Sequence, residues 1–282
     1  MSNFIWYICV AIISVGIAVY AIYMKRDRYK ASTLMLFYLF ASSITWIGEF
    51  IVLGLFNSYA YKTGLFTDPW AQNLLGHLIL NTTMYPAAAI VMVAYSLRNR
   101  WITLITAIFI LVEYLFLKLG LYEHNWWKYY MSAITVVSFI LISKYWFLKM
   151  NKKRQGLTRI LTFYFVAMII IHIHTPLLLL LGKQYYQISF INNLIGNMYL
   201  SSITIIFIYH LIESFLLVLF VGILKKWYWK SLAFIISPVV QIIFTKMNIL
   251  ILEDRWKLVY TIFIYEICIA LFILIEKYTW EN

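Results

Sequence analysis

Apolar runs of about the length needed to cross a bilayer recur along this chain, separated by short polar segments. They lie near residues 4–24, 33–56, 74–97, 102–122, 129–149, 160–182, 193–224, 229–252 and 257–276. About 20 helical residues span a hydrocarbon layer of roughly 30 Å. A helix also satisfies its backbone groups internally, which lipid demands. The pattern therefore predicts an all-α integral membrane protein with about nine transmembrane helices. The seventh run is too long for one straight span, since its residues would reach about 48 Å at 1.5 Å each. Tilt, a break, or an interfacial start near Asn192 to Tyr199 accommodates it. Pro86, Pro176 and Pro238 fall inside runs and predict local kinks.

Composition agrees with lipid as the solvent. The 282 residues are 64% hydrophobic and 12% charged, against roughly a quarter charged in a soluble domain. The net charge of +12 changes the picture only through its placement. Lys and Arg gather at Lys25 to Lys30, Arg98 to Arg100, Lys149 to Arg159 and Lys225-Lys226. The alternate segments, Asn57 to Asn73 and Lys183 to Asn192, carry one lysine each, and Glu253-Asp254-Arg255 is mixed. This alternation predicts an N-terminus outside and a C-terminus in the cytoplasm of a cell (inner) membrane. Clusters between apolar runs do not form the basic face that nucleic acid requires, so that partner is excluded. The run from Phe4 to Met24 lacks a preceding basic region and reads as a retained first span. Cys9 and Cys268 have neither disulfide nor metal-ligand spacing and read as small apolar filler. Trp126, Trp127, Tyr129 and Tyr130 are expected at the outer headgroup level, with Trp227, Tyr228 and Trp229 at the inner one.

The chain also matches itself. Gln72 to Leu80 aligns with Asn192 to Leu200, and Val112 to Leu119 with Val240 to Met247. Trp101 aligns with Trp229, Trp127-Lys128 with Trp256-Lys257, and Phe37-Tyr38 with Phe163-Tyr164. The order of these anchors equates spans two to five with spans six to nine. An even number of helices per unit enters the membrane the same way each time, which gives a parallel repeat. The expected organisation is an N-terminal span and basic loop over 1–31, a first four-helix repeat over 32–150 and a second over 151–282.

Tyr85-Pro86, Glu113, Leu117-Lys118-Leu119-Gly120, His124 and Trp127 carry a further likeness. Around them the chain resembles a family of small multipass membrane proteins from spore-forming Gram-positive bacteria, here in tandem. The resemblance covers roughly 75–150 well and the C-terminal unit more faintly, where Gln241 replaces the Glu and Asn248 the Gly. It implies a bacterial membrane location. That family has no assigned activity, so the resemblance carries over no catalytic or binding residue.

Chemistry inside the spans rests on few residues. Asp27, Asp68 and Asp254 lie in loops. Glu113, Glu213 and Glu266 fall near mid-depth and Glu49 nearer the outer surface. His172, His174 and His210 are also deep, and His77 is shallower. A charge at the bilayer centre costs about 2.5–3.5 kcal/mol, so these groups face the bundle interior or water, or a raised carboxyl pKa keeps them neutral. His210 and Glu213, at i and i+3, share a helical face and predict a paired proton or cation site, or else a polar pair joining helices. His172 and His174, at i and i+2, point to different faces of one helix, so a metal site needs ligands from elsewhere. Lys118 and Lys246 sit near outer helix ends and should snorkel.

No protease, phosphate-loop or hydrolase motif is present, so no enzyme activity and no cofactor are expected. Two functions remain open. One is transport or sensing of a small solute, cation or proton at a cavity between the repeats, with Glu113, His172, His210, Glu213 and Glu266 as its binding candidates. The other is a non-enzymatic component that assembles with partner membrane proteins, related to sporulation on the family resemblance.

Overall fold

The computed structural model describes residues 3–152, 156–253 and 255–279. Asp254 and part of the basic segment from Lys149 to Arg159 fall outside the described residues. Among the described residues, nine helices are long and apolar enough to cross a membrane, and the protein is an all-α multipass membrane protein. The chain forms two compact units, 1–158 and 159–282.

The first unit contains α1 (Asn3–Met24), α2 (Ala31–Glu49), β1 (Tyr59–Tyr61), α3 (Pro69–Ala94), α4 (Arg100–Lys118), β2 (Tyr122–His124) and α5 (Tyr129–Lys152). A π-helical segment, Phe50–Leu55, continues α2. At its end the Val52 carbonyl accepts from the Ser58 amide at 3.3 Å and from the Ser58 hydroxyl at 2.6 Å. α3 starts where Asp68 accepts from the amides of Trp70 and Ala71, with Pro69 in the first turn. α1 presents Tyr7, Ser14, Ala18 and Ala21 as its buried face and packs mainly on α3. Small side chains on that face allow the close approach that replaces hydrophobic driving force in lipid.

A two-stranded antiparallel ribbon closes one end of the unit. β1 pairs with β2 in the register Tyr59 with His124 and Tyr61 with Tyr122. The Ser58 carbonyl then accepts from the amides of Asn125, Trp126 and Trp127 at 3.1–3.2 Å. Two connecting loops thus satisfy each other's backbone at the edge of the apolar layer. Period-two geometry turns Tyr59 and Tyr61 to the same side, inward. Both join a buried cluster with Tyr7, Phe116, Leu121 and Trp127. Trp127 is a buried core residue, not the headgroup ring expected from its neighbours, whereas Tyr129 and Tyr130 are exposed.

The second unit contains α6 (Leu157–His172), α7 (His174–Leu180), β3 (Gln184–Tyr186), α8 (Ser189–Ile195), α9 (Met198–Leu217), α10 (Trp227–Lys246), β4 (Leu250–Leu252) and α11 (Leu258–Thr279). α6 enters it from its third residue, Arg159, onward. α6 and α7 together form one span, interrupted at Ile173. Pro176 has no amide to give the His172 carbonyl, which accounts for the interruption. The long seventh run resolves into α8, a left-handed turn at Gly196, and α9, continued by a second π-helical segment, Val218–Leu224. Asn197 caps α9 by accepting from the Leu200 amide at 3.1 Å. The eighth span ends at Lys246, so residues expected to be helical near 250–252 form β4 instead. Arg159 and Glu276 form an ion pair that joins α6 to α11.

The same hydrogen bonds recur in both units. The Tyr61 amide donates to Asn73 and the Tyr186 amide to Ser202. The Lys62 amide donates to Leu121 and the Gln187 amide to Ile249. The Trp127 indole donates to Ser132 and the Trp256 indole to Thr261. In these bonds Asn73 and Ser202 play the same part, whereas the expected alignment pairs Gln72–Leu80, inside α3, with Asn192–Leu200. The latter segment runs through α8, its cap and the start of α9.

Gly76 of α3 shows why its position has no side chain. A Cβ there would stand 2.4 Å from Tyr61 Cγ. The Gly76→Ala variant is expected to lose about 1–3 kcal/mol of stability from overpacking. Gly16→Ala, where nothing lies within 4 Å, is expected to lose none. Thermal unfolding of both variants in the same detergent checks this.

Candidate functional site

The first unit encloses a cavity of about 370 Å³. Its floor is set by the ribbon, which sends Tyr59, Tyr61 and Tyr122 into it. Helices α2 to α5 supply the walls, among them Ile44, Leu80, Phe109 and Phe116. Two carboxylates, Glu49 and Glu113, line the same space. Among the described residues, the cavity wall includes no lysine, arginine or histidine.

Glu49 sits at the last α-helical position before the π-helical segment and is buried. The Tyr59 hydroxyl donates to its Oε2 at 2.6 Å and the Tyr61 hydroxyl to its Oε1 at 2.7 Å. Asn81 on α3 lies alongside it. Each carboxylate oxygen thus accepts a hydrogen bond from a neutral group. Glu113 on α4 is held differently. His124 Nε2 lies 2.6 Å from its Oε1, and the Ser132 hydroxyl donates to the same oxygen at 2.9 Å. Ser132 in turn accepts from the Trp127 indole at 2.7 Å.

The ribbon tyrosines feel these charges. Burial, and then the Glu49 carboxylate, push the phenols of Tyr59 and Tyr61 well above their ordinary range. Tyr122 is shifted the same way by burial, then by Glu49 and Glu113. Aromatic rings surround the acids. Tyr59 lies 5.5 Å from Trp127 and 5.0 Å from Tyr122, centroid to centroid, and Tyr85 lies 4.8 Å from Phe109.

The second unit holds the other predicted residues in a different arrangement. His172 Nδ1 is 2.9 Å from His210 Nδ1, and His210 Nε2 is 2.7 Å from the Tyr265 hydroxyl. The chain of contacts continues from Tyr265 to Tyr186 at 3.3 Å and from Tyr186 to Gln241 at 3.1 Å. Gln241 then donates to the Tyr209 hydroxyl at 3.1 Å. His174 packs its ring against Tyr265 at 4.5 Å and stands 6.2 Å from the His210 ring. The break at Ile173 accounts for this: it turns two histidines that a straight helix would separate toward a common neighbour. No group of three or more His, Cys, Asp or Glu side chains among the described residues is arranged to hold a metal.

His210 and Glu213 do not pair. His210 is taken by His172 and Tyr265, while Glu213 Oε1 accepts from Ser237 at 2.9 Å. Adjacent to Glu213 is a void of about 20 Å³, room for about one water. Glu266 is half-buried on α11, within electrostatic reach of Glu213. So His172 and His210 meet, Glu213 and Glu266 are near neighbours, and Glu113 makes its contacts within the first unit.

Glu49 was legible as an intramembrane acid but not as the centre of a site. Its partners lie on a loop strand, and the one sequence signal for them is the alternation Tyr59-Ala60-Tyr61, which puts both phenols on one side. No protein-family model, curated protein or solved structure matches this chain.

Because Tyr59 and Tyr61 hold their protons above the ordinary tyrosine value of about 10, the unfolded chain releases those protons first as pH rises. Stability is therefore expected to fall above about pH 10, by about 1.4 kcal/mol per pH unit for each such tyrosine. The Tyr59→Phe, Tyr61→Phe double variant should lose that part of the slope while starting from lower stability. Thermal unfolding between pH 8 and pH 12 checks it, and an unchanged slope in the variant would refute it.

Proposed function

We propose that this protein resides in the cell membrane and binds a small solute inside its first four-helix unit, as a transporter or sensor of that solute does. The observation that carries this reading is the cavity of about 370 Å³ faced by Glu49 and Glu113. Carboxylates in an apolar layer are costly and are retained chiefly where they meet water, a partner or a ligand. The volume lies within the range of small-molecule sites, with apolar walls and few polar groups. No chemical step is assigned to the site.

The ribbon ends of the units are read as outside and the basic turns as cytoplasmic, on the alternation of Lys and Arg along the chain. The two units are read as copies of one four-helix ancestor, of the kind the family resemblance suggests. The recurring ribbon and tryptophan hydrogen bonds support that descent. In the second copy the polar groups bond mainly to one another, which favours a role in joining helices. Solute binding accordingly belongs to the first unit, in place of a cavity shared by the repeats.

The test is thiol accessibility in intact cells. With Cys9 and Cys268 replaced by alanine, single cysteines are introduced at the cavity positions Met84 and Ser138 and at the buried position Ser43. Two membrane-impermeant methanethiosulfonates are applied, one bearing trimethylammonium and one bearing sulfonate. Labelling of Met84→Cys and Ser138→Cys by either reagent, with Ser43→Cys unreacted, is the expected result. Protection of both cavity positions, in intact cells and in inside-out membrane vesicles alike, would sink the reading and leave a component that acts by assembling with partners.

A further inference from the structure

The two acids in the cavity are not equivalent, and the difference points to the class of ligand. Glu113 already has a basic partner, His124 at 2.6 Å. Glu49 has only neutral donors, the phenols of Tyr59 and Tyr61 and the nearby Asn81 amide. A buried carboxylate without a counter-charge calls for a cation in a low-dielectric site. Among the described residues, the cavity wall supplies no lysine or arginine of its own.

A metal ion fits this space poorly. Hard cations take six or more oxygen ligands in a tight shell, and no metal-holding group of three or more such residues exists among the described residues. The walls instead carry Tyr59, Tyr61, Tyr85, Tyr122 and Trp127. Electron-rich ring faces attract ammonium groups and repel anions. Apolar side chains such as Leu80, Phe109 and Phe116 fill the rest of the lining and suit a short hydrocarbon body. One uncompensated acid calls for one positive charge.

We infer that the cavity of the first unit takes a small organic ammonium ion, its charge against Glu49 and its carbon body among the aromatic walls. This rests on the reading of the cavity as a binding site. Glu49 supplies the charge, the ribbon phenols hold its oxygens in place, and Glu113, bonded to His124 and Ser132, lines the opposite part of the cavity.

Purified full-length protein in detergent is titrated by calorimetry with methylammonium, choline and 2-phenylethylammonium, and with 3,3-dimethylbutan-1-ol, the uncharged isostere of choline. At least one ammonium probe is expected to bind, and choline more tightly than its isostere. Glu49→Gln should weaken that binding by about tenfold or more, the scale of a charge-assisted contact. Glu123→Gln, an exposed ribbon position paired with Lys62, should leave it unchanged. If Glu49→Gln does not fold, Tyr85→Leu serves as the second variant and should also weaken binding. Equal binding of choline and its isostere, or no binding of any ammonium probe, overturns the inference. When cavity cysteines still react with methanethiosulfonates, that failure leaves the solute-binding reading standing; when they do not, both fall.

Discussion

Lipid offers no water to a polar group, and the pairing of β1 with β2 is where the first unit meets that constraint. The ribbon satisfies the backbone of two loops at once, with the Ser58 carbonyl taking three amides. It also fixes the side on which Tyr59 and Tyr61 emerge. From that follow the donors to Glu49, the close contact with Gly76, and the shape of the cavity. Helix packing alone does not require these tyrosines; the register of three residue pairs does.

The second unit uses the same ribbon and tryptophan bonds around a different interior. Tyr186 takes its amide bond to Ser202 as Tyr61 does to Asn73, yet its hydroxyl reaches Gln241 and Tyr265 rather than a carboxylate. His172, His210 and Tyr265 occupy one another's hydrogen-bonding groups. Each member restrains its neighbours, and such a network gives rigidity when it is satisfied. Similar ribbon bonds thus adjoin an acidic cavity in the first unit and a linked polar core in the second.

The spans were legible because hydrocarbon thickness imposes a length that composition alone reveals. Their ends were less so. β4 is an apolar segment that follows directly on a helix, β2 is the polar run Tyr122-Glu123-His124, and three-residue strands leave almost no period to detect. The alignment of Asn192–Leu200 with Gln72–Leu80 joined similar residues in different structures, since α8 is an added piece with no counterpart in the first unit. Glu113 was a candidate by its depth, whereas Glu49, nearer the outer surface, was not among the candidates, and its partners come from a loop. The pairing of His210 with Glu213 assumed that helical spacing decides contacts; side chains from α6 and α11 took His210 instead.

The partners of Glu49 are ten and twelve residues ahead of it in the chain. A nascent second span therefore has both phenols close behind its acid before α3, α4 or α5 exists, while the ribbon that fixes their side awaits β2. Biogenesis places a demand on sequence order that the finished fold does not: the costly group and its remedy must leave the ribosome nearly together. A tyrosine at the same place in space but supplied by α5 would serve the mature molecule equally well and serve the half-made one not at all.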